Sequence, residues 1–201
     1  MEGSPGSSFI LILILVVINA FFASAEMAIV SLNKTKINIL AEEGNKKAKL
    51  LKNVLKDPNK FLSTIQVGIT FAGFFASASA ATSISAVVAK FLERYNVPYT
   101  ESIALVLTTL AISYLTLVLG ELVPKRIALQ SSEKLAMAFI KPIILISKVT
   151  KPFVWFLSFS TNIILKIFRV NTEGIEEQIS REEIRSLIEI GEENGKDYSI
   201  R

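Results

Sequence analysis

A carboxylate at the end of an apolar run is the group in this sequence best placed to do chemistry. Glu121 follows the run from Tyr114 to Gly120, and an ionisable group at membrane depth is costly and usually functional. Pro124 has no N–H, so the helical hydrogen bond to the Gly120 carbonyl is lost and that oxygen is predicted to be free. Transporters hold cations with hard oxygens beside such helix breaks. The alternative is an ordinary helix end, with Glu121 at the membrane interface.

Glu26 is the other acidic residue inside an apolar stretch. The segment from Phe9 to Leu32 is long enough to cross a bilayer, and Ser24 and Glu26 interrupt its second half. Their side chains point about 200° apart on a regular helix, so we do not expect them to share one site unless the helix is distorted. Two roles for Glu26 stay open, namely lining an ion path and capping a neighbouring helix.

The stretch from Phe61 to Phe91 is crowded with glycine, alanine, serine and threonine. Gly68, Thr70 and Gly73 could loosen a helix there and present a main-chain carbonyl beside a hydroxyl. The alternative is close packing of membrane helices, which small residues at every fourth position favour. Two such ladders occur, at Gly68, Ala72, Ala76 and Ala80 and at Gly73, Ser77, Ala81 and Ser85.

Composition restricts any metal site to oxygen ligands. The 201 residues are 51% hydrophobic and include neither cysteine nor histidine, which excludes disulfides, thiol chemistry, histidine acid–base catalysis and the usual zinc sites. The only aspartates, Asp57 and Asp197, lie outside the apolar stretches, so the paired aspartates of an intramembrane protease are also missing. We therefore predict a membrane protein that is not an enzyme.

The distribution of lysines predicts the orientation in the membrane. Lysines outnumber acidic residues between Asn33 and Lys60, which places this stretch in the cytoplasm, either as an amphipathic helix on the inner leaflet or as a solvated basic loop. The loop 92–102, whose net charge is zero when Lys90 just before it is counted, is then external, and the span from Ile103 to Leu119 returns to the cytoplasm. Lysines and prolines interrupt the region from Leu135 to Phe168, which we interpret as several helices against the inner membrane face.

The predicted fold is an all-α integral membrane protein with three transmembrane helices, a juxtamembrane helical belt and a cytoplasmic acidic helical segment. Residues 1–170 form the membrane domain in this interpretation, and residues 171–201 form an acidic linker. We expect a multi-pass protein of the plasma membrane, with the N-terminus outside and the C-terminus in the cytoplasm.

Four motifs follow one another along the chain: NAFFASAEMAIVSL at 19–32, FLSTIQVGIT at 61–70, GELVPKRIAL at 120–129 and EEIRSLIEIGEENG at 182–195. Together they resemble the CorC/CNNM proteins, often labelled hemolysin-like, whose transmembrane domain is called DUF21. Members have three transmembrane helices and form homodimers. Full-length members continue into cytoplasmic CBS domains that bind ATP. The resemblance implies a homodimer in the lipid bilayer, with ATP bound only by CBS domains that are absent from this chain.

The resemblance also implies a function and a set of site residues. The family is associated with magnesium export, proposed to be driven by sodium entry, so Mg²⁺ is the expected transported ion and Na⁺ the expected coupling ion. The positions that match the family's metal site are Ser24, Gly68, Thr70, Gly73 and Glu121, with Glu26 and Gly120 along the ion path. A membrane sensor that binds Mg²⁺ and regulates another transporter is the alternative function.

One of these positions departs from the family pattern. Gly73 stands where some relatives carry an asparagine in the second helix. Three consequences stay open, namely a retained water molecule, a ligand role for Thr70 and a changed ion preference.

Overall fold

The computed structural model describes residues 5–56 and 58–168, and all regular elements in that part of the chain are helices. They are α1 (Pro5–Val30), α2 (Lys34–Glu42), α3 (Lys46–Val54), α4 (Pro58–Glu93), α5 (Thr100–Leu117), a π-helical turn (Val118–Leu122), α6 (Val123–Gln130) and α7 (Ser132–Ile167). The predicted all-α class is confirmed for this part. The acidic segment predicted over 171–201 lies outside the described residues.

Four stretches of helix are long and apolar enough to cross a membrane, judged by length and composition: Gly6–Val30, Phe61–Glu93, Thr100–Gln130 and Ser132–Ile167. The first three coincide with the predicted spans. The fourth differs from the prediction of several short helices, because α7 is one continuous helix with Pro142 and Pro152 inside it. Each proline removes one hydrogen bond from a 36-residue helix, and apolar helices tolerate such losses. Four helices, and not three, are therefore candidates for membrane spans.

The three predicted spans pack against one another. α1 lies against α4, the π turn and α6, and α4 also lies against α5. Ala72, Ala76 and Ala80 of α4 are buried, and Ala80 meets Ile12 of α1 and Ile112 of α5 in a small apolar cluster. This part of the small-residue ladder is confirmed as a packing surface.

Two short helices replace the single amphipathic helix predicted between the first two spans. Gly44 separates α2 from α3 with φ +95°, a conformation that glycine adopts readily. Asn45 caps α3, because its side chain accepts hydrogen bonds from two main-chain N–H groups of the first turn. Ile37 and Leu51 are fully buried while most of the lysines are exposed. The amphipathic character is confirmed, and the prediction of one helix is wrong.

An apolar core joins the second half of α1 to the elements around it. Its members include Phe22 of α1, Ile37 of α2, Leu51 of α3, Ile65 of α4 and Ile140 of α7. Ala128 brings α6 into the same core and is fully buried. Because α6 packs here against α1, the residues just before it on the chain are held beside the middle of α1.

The chain divides into two compact units after Val154. The described residues of the second unit, 155–168, form the last turns of α7. The rings of Trp155 and Phe159 stack there with their centroids 5.7 Å apart, and both side chains are exposed. An exposed aromatic pair of this kind suits the membrane interface.

Candidate cation site

The helix that carries Glu121 widens into a π turn where the sequence predicts a break. Pro124 has no N–H to donate to the Gly120 carbonyl, and the Val123 N–H bonds to the Val118 carbonyl five residues back. The Gly120 carbonyl accepts a hydrogen bond from Asn19 Nδ2 of α1 at 3.2 Å. The prediction of an irregular turn is confirmed. The prediction of a free carbonyl is wrong, because Asn19 contacts that oxygen.

Asn19 and Gly120 fit together closely. Asn19 is 2% exposed, and a Cβ built on Gly120 would lie 3.0 Å from Asn19 Nδ2. Glycine therefore allows α1 to approach the π turn closely enough for the hydrogen bond. The other end of the amide, Asn19 Oδ1, is buried and has no hydrogen-bond partner among the described residues. Such an oxygen can accept a hydrogen bond from water or contact a cation.

Lys125, in the first turn of α6, joins the two carboxylates that the sequence singles out. Its Nζ lies 2.9 Å from Oε1 of Glu121 and 3.0 Å from Oε2 of Glu26. The side chains of Lys125, Glu26 and Glu121 are 27%, 26% and 31% exposed. Two negative charges and one positive charge thus share a partly buried cluster. We call Glu26 and Glu121 the carboxylate pair.

Ser24 contacts the residue just before Lys125 on the chain. Its Oγ is 3.5 Å from the Pro124 carbonyl, at the long limit of a hydrogen bond. Ser24 and Glu26 thus contact consecutive residues of α6, although α1 is a regular helix throughout. The expectation that they do not share one site stays a prediction, since each contacts a different residue of α6. Glu26 and Lys125 meet through long side chains, whereas Ser24 reaches the main chain directly.

The three predicted contributors on α4 lie in an unbroken helix, so the predicted loosening of that helix is wrong. Gly68 packs on α1, since a Cβ built there would lie 2.5 Å from Cε2 of Phe22. Gly73 has nothing within 4 Å of the corresponding position, and Thr70 is partly buried. No described hydrogen bond or ion pair joins Thr70 to Glu121. A ligand role for the α4 residues stays a prediction.

The cluster offers a mixture of charged and neutral oxygens. Residues 5–56 and 58–168 contain no group of three or more acidic or other metal-binding side chains. The two carboxylates, the Ser24 hydroxyl and the Pro124 carbonyl are the oxygens gathered here. Few protein ligands and several retained water molecules are typical of Mg²⁺ sites.

A comparison with protein families identifies the family of this chain. The Cyclin M transmembrane N-terminal domain matches residues 10–198. The chain belongs to the CNNM family. This CNNM domain is 39% identical over 92% of its length to a UPF0053 protein of Synechocystis sp., and 31% identical over 94% to the UPF0053 protein YhdP of Bacillus subtilis. It is 26% identical over 92% to the polyamine export protein of Escherichia coli. The chain spans 41% to 43% of the length of these relatives.

The CNNM motifs contain two residues whose part in the site the sequence reasoning missed. Sequence reasoning gives Lys125 no part in the site, although Glu121 and Lys125 are four positions apart, the spacing at which opposite charges meet on a helix. It does not single out Asn19 within the first apolar segment either. No local signal connects it to Gly120, which is 101 positions away in the sequence.

Proposed function

We propose that this CNNM domain is the membrane part of a cation exporter that binds Mg²⁺ at the carboxylate pair and moves it by alternating access. The observation that carries the proposal is the convergence of Glu26 and Glu121, from α1 and the π turn, on one nitrogen atom. Carboxylates among apolar helices are expensive to desolvate and are usually retained for an ion or a proton. Ser24 and the Pro124 carbonyl would supply neutral oxygens beside them.

The proposal includes the arrangement in the membrane. α1, α4 and the α5–α6 stretch are the three spans, and α7 lies against the inner face of the plasma membrane. The exposed lysines of α2 and α3 support a cytoplasmic position for that hairpin, with the N-terminus outside and the C-terminus inside. Na⁺ entry is the proposed driving force for Mg²⁺ export.

The proposal also includes a homodimer. The second small-residue ladder of α4 is only partly buried, which supports this assembly. Its residues are Gly73, Ser77, Ala81 and Ser85.

The test is Mg²⁺ binding by calorimetry together with Mg²⁺ flux in proteoliposomes that contain only this protein. Glu121→Gln keeps the shape of the side chain but removes its charge, so it should abolish both binding and flux. Ser24→Ala removes a neutral oxygen that water can replace, so it should weaken binding only. Glu101→Gln is the matched control, because Glu101 is exposed at the start of α5. If Glu121→Gln binds Mg²⁺ as the parent does and Glu26→Gln does not bind it, the main ligand is Glu26 on α1. Mg²⁺ binding without Mg²⁺ flux would favour the alternative function, a membrane sensor that regulates another transporter.

A second candidate substrate is an organic polyamine. The Lys125 ammonium held between two carboxylates shows that a primary ammonium fits the cluster, and relatives from Haemophilus influenzae and Escherichia coli are named polyamine export proteins. Titration with spermidine in place of Mg²⁺ separates the two candidates. Saturable spermidine binding that Glu121→Gln removes, with no response to Mg²⁺, would favour the polyamine.

A further inference from the structure

The ammonium of Lys125 occupies the place where a bound cation would have to lie. Both carboxylates of the pair contact Nζ, at 2.9 Å and 3.0 Å. We propose that Lys125 is a tethered counter-ion, which fills the carboxylate pair when no ion is bound and which an entering cation must displace. The inference rests on the proposed function and adds a residue that sets the concentration at which cations bind.

The empty site needs a positive charge. Glu26 and Glu121 come close enough to touch the same atom, and two like charges at that separation in a partly buried place repel each other. Lysine suits the task because its ammonium is a compact charge on a flexible four-carbon stem. Lys125 is also 27% exposed, so its side chain has room to rotate away from the carboxylate pair while α6 stays in place.

The carboxylate pair favours a divalent ion over a monovalent one once the ammonium has left. With Lys125 in place, the cluster carries one net negative charge, and with Lys125 withdrawn it carries two. A monovalent cation that enters only replaces the charge that leaves, whereas a divalent cation neutralises both carboxylates. Because the ammonium must leave for either ion, Lys125 lowers the apparent affinities for Na⁺ and Mg²⁺ by the same factor, and its removal should let both ions bind at lower concentrations.

The absence of native cysteines allows a direct test with Lys125→Cys in the purified chain. Reaction with 2-aminoethyl methanethiosulfonate restores an ammonium, and reaction with methyl methanethiosulfonate leaves a neutral side chain. By calorimetry, the neutral adduct should bind Mg²⁺ about tenfold more tightly than the parent, which corresponds to one ion pair of moderate strength. The ammonium adduct should return to the parental affinity. Na⁺ should also bind at lower concentrations in the neutral adduct, by the same factor.

Arg126→Cys with the same two reagents is the matched control, because Arg126 is the next residue and is exposed. Its adducts should differ by less than about twofold, since exposed charges are screened by solvent and salt. An affinity of the neutral Lys125 adduct equal to or below that of the parent would overturn the counter-ion and leave the proposed function standing. Failure of the unmodified chain to bind Mg²⁺ would refute both.

A second measurement needs no substitution at all. Amine acetylation followed by mass spectrometry should modify Lys125 slowly without Mg²⁺ and several-fold faster at saturating Mg²⁺, because the displaced ammonium enters solvent. Lys134, which is exposed, is the internal reference and should react at the same rate in both conditions. Equal acetylation of Lys125 with and without Mg²⁺ would contradict the displacement.

Discussion

Replacing Asn19 by leucine should loosen the contact between α1 and the π turn. Leucine has nearly the same shape as asparagine, but it cannot donate the hydrogen bond of 3.2 Å to the Gly120 carbonyl. Asn19 is 2% exposed, so water cannot easily replace the lost donor. The carbonyl next to Glu121 on the chain would therefore lose its contact from α1.

Two estimates bound the size of this effect. Leaving a buried acceptor without its partner costs about 1–3 kcal/mol, whereas hydrogen bonds between membrane helices contribute about 0.6 kcal/mol on average and up to about 1.7 kcal/mol. The smaller figure reflects partners that separated helices find in the membrane, and the larger one reflects a carbonyl that stays buried. We expect a loss of about 1–2 kcal/mol, which lowers the melting temperature by about 2–4 °C per kcal/mol for a chain of this size.

The assay is thermal unfolding of the purified protein in detergent, with the parent and variants heated at one rate. Thr116→Val is the matched control, because the Thr116 hydroxyl is buried and has no hydrogen-bond partner among the described residues. Removing that hydroxyl should leave stability unchanged or raise it. Equal melting temperatures for Asn19→Leu and the parent would refute the reasoning. An equal fall in melting temperature in Asn19→Leu and Thr116→Val would also refute it.

The remaining predictions concern α4 and the topology. Gly68→Ala should cost about 1–3 kcal/mol by overpacking against Phe22, and the double variant with Phe22→Leu should recover much of it. Gly73→Ala, which meets nothing within 4 Å, should not destabilise the protein, and a loss as large as that of Gly68→Ala would contradict the packing argument. Single cysteines should be labelled from the cytoplasm at Lys47 and from outside at Asn96. Labelling of the latter from the cytoplasm would overturn the three-span arrangement.

The irregular turn at the site could be predicted because its cause is local. Pro124 lacks the N–H that a regular helix would offer to Gly120, and this is visible in five residues of sequence. The contact that fixes the turn could not be predicted, because Asn19 lies 101 positions away and any polar residue of α1 was an equal candidate. The ion pair between Glu121 and Lys125 was predictable from their spacing alone. The contact of Glu26 with Lys125 depends instead on how α6 crosses α1.

Two of the wrong helix predictions give too much weight to the local effect of glycine and proline. Glycines in α4 were expected to loosen the helix, and prolines in α7 were expected to divide it, because both residues disfavour helix in isolation. Gly68 instead gives room to the Phe22 ring, so packing on α1 holds α4 in a regular conformation there. α7 also continues through Pro142 and Pro152, although both prolines are exposed. Local propensity is a weak guide where apolar helices pack on one another.

The π turn also sets the rotational phase of the helix that follows it. In a regular α-helix a step of four residues overshoots a full turn by about 40°, so the three steps from Thr116 to Ala128 would drift by about 120°. The residue at every step is nevertheless buried, namely Thr116, Gly120, Pro124 and Ala128. One extra residue in a turn offsets the helix by about 100° and cancels most of that drift. A chain one residue shorter in this turn would keep every ligand and still rotate Lys125 away from Glu26.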